Sequence, residues 1–135
     1  MSYAVQGDAI GKLVLRLALG GLILFHGVAK ILHPSGAMGM IGDRLAAMGM
    51  PGFVAYGVYV GEVLAPLLLI LGLYARIGGL LVVVNMIFAV LLVHTSQIFT
   101  LGKQGGWALE LQGFYLLCGL AVLLLGSGKY AVKPD

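Results

Sequence analysis

The amino-acid sequence predicts an all-α protein: a bundle of four transmembrane helices, with a short interfacial helix between the first and the second. Two observations carry that expectation. The 135 residues are 61% hydrophobic and only 10% charged, with a mean hydropathy of +1.07, whereas a soluble domain carries about 25% charged residues. The apolar residues also gather into four long runs, each near the roughly 20 residues a helix needs to cross the hydrocarbon core of a bilayer. So few charges do not coat a water-exposed surface. The length suits one domain over residues 1–135, without room for a separate catalytic module.

The first run extends from about Leu13 to Leu32 and stops at His33-Pro34. It reads as a retained span rather than a cleaved signal, because it outruns a signal's apolar region and contains His26 and Lys30. The other runs are Phe53 to Leu73, Ile77 to Gln97 and Trp107 to Leu125. Only Tyr74, Ala75 and Arg76 separate the second from the third, which makes those helices antiparallel neighbours. Between the first two, Met38, Ile41, Leu45 and Met48 share one helical face, and Gly49 follows as a C-cap. This segment is expected to lie in the membrane interface. The connection from Ile98 to Gly106 is short and glycine-rich and leads to Trp107, an interfacial aromatic.

Lys12, Arg16, Arg76, Lys129 and Lys133 fall on the side of the termini, against Lys30, Arg44 and Lys103 on the other. The bias places both termini in the cytoplasm. The net charge of +3 comes without a basic, aromatic-interleaved face, which argues against nucleic acid as a partner. The lone Cys118 forms neither an internal disulfide nor a dithiol pair and reads as a packing residue. No stretch has zinc-ligand spacing or a phosphate-binding glycine loop.

Ionisable residues inside the spans are the candidates for function. A charge at the bilayer centre costs roughly 2.5–3.5 kcal/mol on insertion scales, so it normally faces the bundle interior and a partner. In the first helix Arg16, Gly20, Ile23, His26, Gly27 and Lys30 fall on one face, which marks it as inward. In the fourth, Gly106, Glu110, Gly113, Leu117 and Ala121 do the same. Lys30, Glu110, His26 and His94 are expected at a similar depth. Glu62 sits midway along the second helix, where a lone carboxylate is most expensive, and Pro66 frees Glu62's own carbonyl from the helical ladder. Arg16 and Arg76 read as anchors that reach the cytoplasmic interface, and Asn85 as an interhelical hydrogen-bonding residue. The candidate ligand-binding set is therefore His26, Lys30, Glu62, His94 and Glu110.

The chain resembles the DoxX family of small bacterial membrane proteins. The residues that carry the likeness are Arg16 with Gly20, the His26-Gly27-x-x-Lys30 end of the first helix, and Met48-Gly49-Met50-Pro51 before the second. Gly61-Glu62, Gly72-x-x-x-Arg76, Glu110 and Gly126-x-Gly128 complete it. Many relatives follow that last motif with a serine and an aspartate, where this chain reads Lys129-Tyr130-Ala131. The resemblance implies a four-helix bundle in the bacterial cytoplasmic (inner) membrane. It also implies an association with thiosulfate:quinone oxidoreductase or with thiol- and oxidative-stress complexes, and it assigns no catalytic residue.

Together these readings suggest an accessory subunit of a quinone-linked redox system. Its bundle site would take a membrane quinone or another small apolar ligand, with electrons arriving from a soluble redox partner. Tyr56, Tyr59, Tyr74 and Tyr115 are aromatics that could stack on a quinone ring. Two other classes stay open. One is a small proton-coupled transporter with Glu62 and Asn85 on its path; the other is a structural or assembly protein whose charges only hold helices together. The many intramembrane glycines also suit a homo-oligomer.

Overall fold

The computed structural model describes residues 3–135, and among these no strand is formed. The chain runs through α1 (Tyr3–Leu32), α2 (Pro34–Ala47), α3 (Gly52–Leu71), α4 (Ala75–Val93) and α5 (Glu110–Leu125). Three of these, α1, α3 and α4, are long and apolar enough to cross a membrane. The fourth apolar run forms the shorter α5, which starts at Glu110 rather than at Trp107. Trp107 instead lies in a turn, where its indole N–H donates to the Ile98 carbonyl at 2.7 Å and its ring covers Gly113.

Each helix boundary has a local cause. α1 extends ten residues further towards the N-terminus than its apolar run, because Asp8 and Lys12 pair at 2.8 Å and Ala9 is buried near Gly128 of the C-terminal tail. Pro34 ends α1 and opens α2 at its first turn. α2 closes in a Schellman motif: Gly49, at φ +74°, donates to the Ala46 carbonyl, and Met50 donates to that of Leu45. Leu45 is the fully buried residue of the apolar face read from sequence. Gly72 and Tyr74 both take positive φ, which turns the chain sharply from α3 into α4.

Close backbone contacts set how the helices sit. A Cβ on Gly79 of α4 would stand 2.5 Å from the Gly119 carbonyl of α5, and one on Gly119 would stand 2.9 Å from the Gly79 carbonyl. This crossing fixes the rotation of α5. The inward residues are Tyr115, Gly119 and Val122, not the face of Gly106, Glu110, Gly113, Leu117 and Ala121 expected from sequence. On α1, Arg16, Gly20, Ile23 and Gly27 are buried as that helix's inward stripe, while His26 is exposed at its edge.

Arg16 is not a snorkelling anchor. Its guanidinium is fully buried and donates to the carbonyls of Ser127 at 3.0 Å, Leu69 at 2.8 Å and Tyr130. Arg76 Nη1 donates to the Leu123 and Leu124 carbonyls at 2.9 and 3.0 Å, satisfying the end of α5. Asp135 accepts from the backbone N–H groups of Arg76 and Ser127 at 3.0 and 3.1 Å. The tail thus folds back over the α3–α4 turn, where Val132 and Lys133 donate to the carbonyls of Leu71 and Gly72.

The α4–α5 crossing leaves no room for a side chain. Gly79→Val should destabilise the purified protein by about 1–3 kcal/mol or more, as overpacking does. Gly21→Ala, which faces open space, should leave the melting temperature unchanged. Thermal melts in mild detergent check both.

Candidate functional site

The centre of the site is an ion pair between α1 and α3. Lys30 Nζ lies 2.6 Å from Glu62 Oε1, with the two side chains 19% and 8% exposed. The backbone around Glu62 is unusual: Val60–Leu64 is a π-helical segment inside α3. Pro66 explains it, because the ring denies the Glu62 carbonyl its normal partner and the helix widens to i→i+5 bonding, with the Ala65 N–H reaching the Val60 carbonyl. The freed carbonyl then faces α1 at Gly27, where any Cβ would overlap it. Tyr59, one turn earlier, donates its hydroxyl to the Lys30 carbonyl at 3.0 Å. Lys30 is therefore held both at its backbone and at its ammonium.

Two cavities meet at this pair. The larger, about 490 Å³, lies between α2, α3 and α4. Its wall is apolar apart from Lys30, Glu62, Asn85 and His94. The smaller, about 160 Å³, lies where α1, α4 and α5 face one another and includes His26, Gln112 and Tyr115. Lys30, Glu62, Asn85 and His94 line both. Asn85 approaches α3 over Gly61, where a Cβ would overlap its side chain. His94, the residue that ends α4, holds Nδ1 2.7 Å from Gln97 Oε1. The His26 and Tyr115 rings meet edge to face, 6.1 Å between centroids.

The five residues singled out from sequence thus have different places. Lys30 and Glu62 form the pair, and His94 lies on the wall of both cavities. His26 lines the smaller one. Glu110 is exposed at the start of α5 and lines neither, because the Gly79–Gly119 crossing turns it outward. Lys30 meets Glu62 and not Glu110. Asn85, Gln112 and Tyr115 complete the polar lining. Gln112 was hidden by taking Glu110 as the inward residue of its helix, since the true inward face reads Gln112, Tyr115, Gly119 and Val122 at spacings of three, four and three.

The family model for DoxX matches residues 11–95, more than half of the chain and the whole stretch from Lys30 to His94. The chain belongs to the DoxX family. It is also similar to a protein of Bacillus subtilis (strain 168) named "Putative oxidoreductase CatD", with 30% identity over 125 residues, covering 93% of this chain and 86% of that one. No solved structure matches the chain.

Within this DoxX-family protein, the two charges depend on each other. Removing one partner of a buried pair leaves the other uncompensated and typically costs about 3–5 kcal/mol. Lys30→Met should destabilise by that order, and adding Glu62→Gln should restore most of the loss. A double-mutant cycle of thermal melts in detergent measures the coupling.

Proposed function

We propose that this DoxX-family protein is an accessory subunit of a membrane redox system and holds a quinone head group in the larger cavity. The observation that carries the reading is a largely buried ion pair on the wall of a cavity of about 490 Å³ that is apolar apart from this pair, Asn85 and His94. That volume falls in the range of about 300–1,000 Å³ typical of small-molecule sites, which combine apolar walls with a few placed polar groups. A quinone fits these groups. Lys30 and the Asn85 amide are donors for ring carbonyls, and the aliphatic residues of α2, α3 and α4 suit an isoprenoid-like tail.

A bound quinone supplies two-electron redox chemistry coupled to protons. The chain's own residues bind, orient and handle protons. Lys30 donates to a carbonyl oxygen while pairing with Glu62, and Glu62 is placed to take up or release a proton as the charge on that oxygen changes. His94 does the same from the end of α4. Electrons come from a soluble partner, since the lone cysteine offers no dithiol relay.

A small proton-coupled transporter is the second reading, favoured by two cavities that meet at one ion pair. Solute uptake by proteoliposomes separates the two, because a redox subunit moves no solute. The proposed topology has four spans, α5 lying along α4 as the last, with α2 in the interface and both termini cytoplasmic. A C-terminal fluorescent-protein fusion, which folds only in the cytoplasm, should therefore fluoresce.

Mass spectrometry of small molecules that co-purify in mild detergent tests the ligand. Wild type should carry a quinone, and the doubly neutral Lys30→Met/Glu62→Gln variant should lose it while staying folded. Equal amounts of bulk phospholipid alone in both would overturn the reading.

A further inference from the structure

The smaller cavity differs from the larger in its chemistry. To the four polar residues it shares with the larger cavity its lining adds His26, Gln112 and Tyr115, beside Ile23, Met86, Ala89 and Leu111. Several of these polar groups face no protein partner. Tyr115 is only 7% exposed, and neither its hydroxyl nor the Asn85 and Gln112 amides make a hydrogen bond to another described residue. No side-chain polar atom among the described residues is both fully enclosed and unpartnered. Asn85, Gln112 and Tyr115 all line the cavity and retain some accessible surface. Polar groups withdrawn from bulk water need hydrogen-bond partners, and a cavity of about 160 Å³ with several of them on its wall accommodates roughly five waters at about 30 Å³ each.

We propose that the smaller cavity is a water-filled path between α1, α4 and α5, along which protons reach Glu62 from the aqueous phase. The titratable groups facing Glu62 and its path are Lys30 and His26 from α1, His94 from the end of α4 and Tyr115 from α5. The larger cavity admits the apolar ligand and the smaller one admits water, so the two supplies approach the ion pair separately. This inference rests on the reading of Glu62 as a proton-exchanging group of the ligand site.

The test is cysteine accessibility in nanodiscs, in a Cys118→Ala background that removes the native thiol. Gln112→Cys and Met86→Cys, both on the wall of the smaller cavity and not of the larger, probe the path, and Leu117→Cys, exposed on the outer face of α5, is the lipid-facing control. The probe is a trimethylammonium thiosulfonate, with a neutral lipophilic maleimide confirming that each thiol is present. The path predicts that Gln112→Cys and Met86→Cys react with the charged probe roughly tenfold or more faster than Leu117→Cys, because a charge enters hydrocarbon only at high cost. Adding Gln112→Trp to Met86→Cys should then slow the charged probe by a similar factor, and Leu111→Phe serves as the alternative plug if the tryptophan variant misfolds. Charged-probe rates at Gln112→Cys and Met86→Cys no higher than at Leu117→Cys would overturn the proposal, as would a Met86→Cys rate that no plug changes. The two readings fail separately: charged labelling without a co-purifying quinone leaves the path and removes the ligand, and the converse removes the path alone.

Discussion

A carboxylate in hydrocarbon needs a partner, and Glu62 lies midway along an apolar helix. Much of the candidate site depends on how that requirement is met. Pro66 widens α3 into a π-helical segment at Glu62. Gly27 lets α1 approach the freed carbonyl, and that approach brings Lys30 within 2.6 Å of the carboxylate. Tyr59 fixes the backbone of Lys30 from the α3 side. A glycine, a proline and a tyrosine therefore position a single ion pair. The arrangement is costly to perturb in parts, because each group stands where the others leave space for it.

The two ends of the molecule treat their charges differently. Arg16 and Arg76 direct their donors at main-chain carbonyls, join the tail to the turn between α3 and α4, and line neither cavity. Around Lys30 and Glu62 the reverse holds. Asn85, Gln112 and Tyr115 keep polar atoms turned to open volume. Polar groups that the fold leaves unengaged mark where a ligand or water has something to bind, and here all three line the smaller cavity, with Asn85 on the wall it shares with the larger.

The helical architecture was legible in the sequence because apolar length and glycine placement report directly on bilayer thickness and close packing. The inward stripe of α1 and the C-cap at Gly49 followed from spacing alone. So did the consequence of Pro66 for Glu62, which is a local backbone effect. Rotation of α5 was not legible, since its faces are almost equally apolar and the decisive contact is a glycine pair on two helices. That misplaced Glu110 and concealed Gln112. Nor did the sequence separate Arg16 from an interfacial anchor, because its partners are carbonyls as distant in the chain as Leu69 and Tyr130.

Membership of the DoxX family and likeness to a protein named as an oxidoreductase agree with a redox setting, but the ligand site itself is argued from geometry. The measurement that tests it most directly is titration of the purified protein with a short-tailed quinone, comparing wild type with Leu45→Trp. Leu45 lines only the larger of the two cavities. The account predicts saturable binding in wild type and its loss in a folded Leu45→Trp protein. Binding that survives with the larger cavity filled would contradict it.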